Sequence, residues 1–210
     1  STDGITWSTM TLPTSQSWYG VTYGDGKFVA VAINSNKGAY STDGINWTEF
    51  TLPASRYWRG VTYGNDKFVA VDYDTGRKGA YSTDGINWTE MTMPAGSWYS
   101  VTYGNGKFVA ADYSQYGAYS TDGISWTKMT LPASHNWLSV TYGNDKFVAI
   151  GYDSNKGAYS TDGIAWTEMT MPASRNWDGV TFGNGKFVAV ATNSGNGAYW
   201  DVAGTPIYTI

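Results

Sequence analysis

Residues 57–92 read YWRGVTYGNDKFVAVDYDTGRKGAYSTDGINWTEMT, and this stretch decides the fold. It divides into short runs rich in Val, Tyr, Trp, Phe and Thr, with no apolar positions at helical spacing over a dozen residues. The runs 57–63 and 67–73 read as strands around a tight turn at Gly64-Asn65-Asp66. Residues 74–78 read as a loop and 79–82 as a short third strand. Asp84-Gly85 is a hairpin turn of the kind that favours positive φ, and 86–92 form a fourth strand that Pro94 ends. Four antiparallel strands in about 40 residues is the spacing of a β-propeller blade.

The same text recurs along the whole chain. STDG begins at Ser1, Ser41, Ser82, Ser120 and Ser160, with spacings of 40, 41, 38 and 40. V-T-[YF]-G begins at Val21, Val61, Val101, Val140 and Val180, and K-F-V-A at Lys27, Lys67, Lys107, Lys146 and Lys186. One structural unit is therefore built five times. Its central runs are apolar without clean alternation, as suits sheets covered on both faces, so the copies must stack. The expected fold is all-β: a five-bladed β-propeller with four antiparallel strands per blade, one domain over 1–199, and a tail at 200–210. The chain opens on STDGITW, the turn and fourth strand of a blade, and reaches a third strand at Gly197–Tyr199. Residues 5–11 are expected to close the ring by hydrogen-bonding to 197–200. In the competing register PIYTI, residues 206–210, is the outer strand of the last blade.

STDGINW at 41–47, which recurs as STDGITW, STDGISW and STDGIAW, resembles the Asp-box, or bacterial neuraminidase repeat, of sialidases and many non-enzymatic propellers. That pattern is usually written S-x-D-x-G-x-T-W; here Asp is followed directly by Gly, one residue shorter. The resemblance implies that Asp3, Asp43, Asp84, Asp122 and Asp162 are structural turn residues, on the rim away from the binding face. The chemistry agrees: Asp accepts hydrogen bonds from amides of its own turn. Gly44 allows a backbone angle other residues resist, and Trp47 can pack its ring on the turn.

Composition excludes several classes. With 13 basic and 17 acidic side chains and a net charge of −4, no broad basic surface exists for phosphates, so no nucleic-acid partner is expected. No apolar run approaches about 20 residues, so no membrane insertion is expected. Zero Cys excludes disulfides and thiolate metal sites. His135 is the sole histidine, which leaves no two-histidine metal site. There is no P-loop, dinucleotide fingerprint or H-E-x-x-H. Sialidases, which the turn motif resembles, hold their substrate with three arginines; here Arg56, Arg59 and Arg77 adjoin one another but Arg175 lies about three blades away. Neither enzymatic activity nor a cofactor or metal is expected. No signal peptide is visible and the compartment stays undecided, with an extracellular, virion or cell-surface setting favoured.

Two connections differ between copies, and both fall at one end of the sheets. The first, PTSQSWYG, PASRYWRG, PAGSWYS, PASHNWLS and PASRNWDG, supplies Trp18, Tyr19, Trp58, Arg59, Trp98, Tyr99, Asn136, Trp137, Trp177 and Asp178. The second, between the second and third strands, supplies Tyr73, Asp74, Tyr113, Tyr152 and Asp153. Loops on a rigid scaffold are where function tends to sit. Flat aromatic faces beside amides and carboxylates suit sugar rings, which have apolar C–H faces and hydroxyl rims.

Two readings stand. In the first, the chain is a multivalent glycan-binding propeller with one shallow site per blade, similar in blade count to tachylectin-type five-bladed lectins, whose repeated sites add avidity. In the second, the tryptophans are inter-blade core and the chain is a structural or protein-interaction scaffold, such as a phage or bacterial surface module or an idealised, engineered repeat. The oligomeric state is open, with strand exchange through the termini one route.

Overall fold

The computed structural model describes residues 1, 3–132 and 135–202. Among these residues nineteen antiparallel strands form five sheets in chain order. Sheet 1 holds β1 (Ser17–Gly24), β2 (Lys27–Ile33), β3 (Ser35–Ser41) and β4 (Thr48–Arg56). Sheet 2 holds β5 (Trp58–Gly64), β6 (Lys67–Asp72), β7 (Lys78–Ser82) and β8 (Thr89–Thr92). Sheet 3 holds β9 (Trp98–Gly104), β10 (Lys107–Asp112), β11 (Tyr116–Ser120) and β12 (Thr127–Thr130). Sheet 4 holds β13 (Asn136–Gly143), β14 (Lys146–Tyr152), β15 (Ser154–Ser160) and β16 (Thr167–Arg175). Sheet 5 has three strands, β17 (Trp177–Gly183), β18 (Lys186–Ala191) and β19 (Gly197–Asp201).

The first two strands of each sheet are joined by two-residue turns that need positive φ. Asn65 and Asp66 adopt φ of 45° and 56° between paired Gly64 and Lys67. The fourth strand of sheet 2 begins at Thr89, three residues later than the sequence suggests. The cause is the turn: the Asp84 carboxylate captures the amides of Ile86 and Asn87 at 2.8 Å each, so neither can enter the ladder.

Neighbouring sheets pack through their first strands, β1 on β5, β5 on β9, β9 on β13 and β13 on β17. The core is four clusters, one per interface, the one between sheets 4 and 5 being the smallest. In the first, Val29, Val31, Phe50 and Leu52 of sheet 1 meet Trp58, Val61 and Phe68 of sheet 2. The others repeat it around Trp98, Trp137 and Trp177. Each interface also has a ring seated on a glycine. A Cβ on Gly24 would stand 2.0 Å from Tyr63 Cγ, and Tyr103, Tyr142 and Phe182 cover Gly64, Gly104 and Gly143 in the same way.

The expected ring closure is not formed in this structure. β19 pairs with β18 alone among the described residues, and residues 5–12 form no strand. Ile5 and Trp7 are 84 % and 77 % exposed. The segment is held instead on sheet 1, where the Trp47 indole N–H meets Met10 Sδ at 3.1 Å. β19 runs through Trp200 and Asp201, two residues into the stretch expected to be tail. The alternative outer strand 206–210 lies outside the described residues.

Candidate functional site

Strand pairing sorts the connections by end. Trp58 pairs with Asp72 and Ser35 with Arg56, so both variable connections lie at one end of the sheets; the Gly–Lys hairpins and STDG turns lie at the other.

The STDG end repeats one hydrogen-bond set. In sheet 1, Asp43 Oδ1 accepts from the amides of Ile45 and Asn46 and from the Ser41 hydroxyl at 2.8–2.9 Å. The Ser41 oxygen in turn accepts from the Gly44 amide at 2.8 Å. Gly44 sits at φ +75°. Asp3, Asp84, Asp122 and Asp162 make the same contacts. The Asn46 side chain, the amides of Asn46 and Ile45, and Ser41 hold the Asp43 carboxyl well below the usual range. At Asp122 burial pushes upward, but the amides of Ser125 and Ile124 and the Ser120 hydroxyl outweigh it and bring the value to about 2.

At the variable end four of the five expected tryptophan platforms are not formed. Trp58, Trp98, Trp137 and Trp177 are each 0 % exposed, packed in the interface clusters. Three of them donate their indole N–H to backbone carbonyls four residues earlier, those of Ala54, Pro94 and Ala173. Trp18, half-buried, does the same toward Thr14. A ring fixed at one repeat position inside every interface is core, so no sugar can stack on it.

The tyrosines are gathered instead. Along the variable end Tyr57 meets Tyr73 at 6.4 Å between ring centroids, Tyr73 meets Tyr99 edge-on at 4.5 Å, Tyr99 stacks on Tyr113 at 5.0 Å, and Tyr113 reaches Tyr152 at 6.4 Å. The belt spans sheets 2 to 4. Arg59 is clamped within it: its guanidinium lies 4.4 Å from the Tyr19 ring and 3.8 Å from the Tyr99 ring. No ion pair or hydrogen bond engages the Arg59 side chain among the described residues. Burial, then the neighbouring Tyr73 phenol, holds the Tyr99 hydroxyl above its ordinary range, so it stays protonated and able to donate.

Beside the belt an axial cavity of about 320 Å³ is lined by Tyr19, Arg59, Tyr99, Ser100, Ser139 and exposed Asp178, among others. Asp74 and Asp153 are exposed on the second connections and Asn136 is half-buried at the start of β13. A second cleft, about 340 Å³, lies between sheets 4 and 5 against Ile150, Met171, Phe187 and Trp200. It is apolar and holds none of the convergent polar groups.

Two positioning residues escape a sequence reading. Asp72 is 0 % exposed beneath the belt; its Oδ1 accepts from the amides of Tyr57 and Asp74 at 3.2 and 3.0 Å, and Arg56 approaches at 3.5 Å. Asp112 accepts likewise from the Ser97 amide at 2.7 Å and the Ser114 hydroxyl at 2.8 Å. These buried carboxylates pin the connections that carry Tyr57, Tyr73 and Tyr113. Their signal is an Asp at the end of KFVAVD and KFVAAD, where other copies have Ala or Gly.

No family model and no curated protein matches this chain. Solved structures do. A catalytically inactive virginiamycin B lyase from Staphylococcus aureus, solved with quinupristin, superposes with a TM-score of 0.80 at 18 % identity, over 89 % of this chain and 68 % of that one. A streptogramin B lyase gives 0.73 at 17 %, over 89 % and 69 %. YCF48 bound to D1 peptide gives 0.71 at 17 %, over 93 % and 66 %. The fold is thus that of a β-propeller, here of about five sheets, spanning about two thirds of these neighbours' length. The expectation that the chain is no enzyme is corrected by the same finding, because the propellers it superposes on include lyases.

Proposed function

We propose that the chain recognises carbohydrate at its variable end, through one composite site formed by the tyrosine belt and Arg59. The observation that carries this reading is the run of rings from Tyr57 to Tyr152, with a guanidinium in its midst that makes no ion pair among the described residues. Phenol rings offer apolar faces to sugar C–H groups and hydroxyls to their rims. Arg59 supplies fixed N–H donors, and Asp74 and Asp153 supply acceptors at the margin. Burial of the repeated tryptophans favours one shared site over five equal ones. The hydrogen-bonded STDG turns fit a rigid frame for such a site.

The rival is a peptide-binding module, favoured by the likeness to YCF48 bound to D1 peptide. A glycan array at high protein density, repeated with Tyr99→Ala and Tyr113→Ala, tests the choice. Binding lost in both variants at unchanged fold supports the sugar reading. Silence across the array for the wild-type chain overturns it and leaves the peptide reading.

A further inference from the structure

The four interfaces inside the chain share one construction, and the molecule carries both halves of a fifth that are not mated. Inside, the second strand of each sheet presents valines to the first strand of the next; Val29 and Val31 are 0 % exposed and Val61 is 8 % exposed. At all four a ring from the later sheet seats on a glycine of the earlier one, and at the first three the later sheet's STDG turn also leans on a valine. Gly85 lies beside Val29, Gly123 beside Val69 and Gly163 beside Val109.

At the last sheet the same strand positions are bare. Val188 and Val190 are 42 % and 58 % exposed, and a Cβ on Gly183 would meet nothing within 4 Å. At the first sheet the matching elements are bare too. Val21 is 63 % exposed and Tyr23, the counterpart of Tyr63, is 59 % exposed and covers no glycine. A knob without a socket and a socket without a knob stand at opposite ends of one row of sheets.

The outer strands tell the same story. Inside the chain Phe50 of β4 stacks on Trp88 of the next sheet at 5.7 Å. Met10 lies on Trp47 in the same relation, so residues 5–12 sit where the outer strand of a preceding sheet belongs. Among the described residues sheet 5 has three strands, one fewer than the others.

We infer that a second copy of this chain docks head to tail: its first sheet covers the last sheet of this copy, and its residues 5–12 come to lie alongside sheet 5 as this copy's residues 5–12 lie alongside sheet 1. The contact continues an interface already present four times. A second copy mates it without disturbing the four seated rings, whereas closing one chain on itself must change the angle at packed interfaces that resist continuous deformation. The contact is heterologous, so it either closes into a larger ring or extends.

Because the chain has no cysteine, Tyr23→Cys combined with Gly183→Cys reports the partner directly. Under mild oxidation the double variant should link into dimers and larger species on a non-reducing gel. Wild-type mass by analytical ultracentrifugation should rise with concentration. Tyr23→Ala, exposed and so without effect on the circular dichroism of the monomer, should weaken association about tenfold. A disulfide formed within single chains would show self-closure and overturn the inference. A wild-type chain that stays monomeric into the hundreds of micromolar range, with no crosslink, would overturn it as well.

Discussion

The two ends of the sheets carry the same strands to opposite purposes. At the STDG end, five copies place one Asp, one Ser and one Gly in one hydrogen-bonded turn, and the copies are interchangeable. At the other end the position after the repeated Trp is Tyr19, Arg59, Tyr99, Leu138 or Asp178. The position after the second strand's core is Ile33, Tyr73, Tyr113, Tyr152 or Thr192. Aromatic character therefore collects over sheets 2 to 4 and is missing from sheet 5. Repetition stabilises the frame, and departure from repetition concentrates chemistry in one sector of one end.

Substitutions that separate frame from sector sharpen this contrast. The largest loss is expected at a seated glycine. Gly64→Ala drives a methyl into the Tyr103 ring and should cost about 3 kcal/mol in denaturant unfolding. Gly183→Ala, the same change in open space, should cost less than about 0.5 kcal/mol. Equal costs at the two would break the account of the interfaces.

Next comes Asp84→Ala, which strips acceptors from the Ile86 and Asn87 amides and should cost about 2 kcal/mol. The turn carboxyls are held below their unfolded values, so their contribution is full above about pH 4 and is lost as pH falls toward the folded value, about 2 at Asp122. Stability measured by urea titration should therefore drop between pH 4 and pH 2, and Asp122→Asn should flatten that drop.

Smaller in stability and larger in function is Tyr113→Ala, expected to shift unfolding by about 1 kcal/mol or less while abolishing retention on the array. The smallest effect is expected on the outer strands. Lys37, Lys78 and Lys156 pair with Glu49, Glu90 and Glu168, whereas sheet 3 places Lys128 over the Tyr116 ring at 3.3 Å. Tyr116→Lys with Lys128→Glu recreates the common pair and should change thermal stability by less than about 0.5 kcal/mol.

Much of the frame is legible before any coordinates. The spacing of STDG, the Gly-Asn-Asp-Lys turns and the two-sided apolar strands require five stacked sheets, and the Asp residues of the turns bond as their chemistry demands. The site is legible only in its ingredients. Tyr99 and Tyr113 are visible as variable aromatics, but the contact that joins them into a belt, Tyr73 against Tyr99, crosses from sheet 2 to sheet 3 and depends on the angle between those sheets, which no local pattern encodes. Trp58 and its counterparts mislead because a conspicuous aromatic beside a loop looks the same in sequence whether its ring turns outward or into the interface.

Sequence by itself determined the repeat, the strands, the turn chemistry and the end at which the copies differ, since all of these follow from short-range backbone and side-chain rules. Tertiary packing alone decided that the tryptophans go inward, that Asp72 and Asp112 pin the tyrosine loops, that Arg59 is gripped by two rings, and that the fifth interface stands open. Those outcomes depend on the rotation between neighbouring sheets, a quantity summed over many contacts and carried by no single residue.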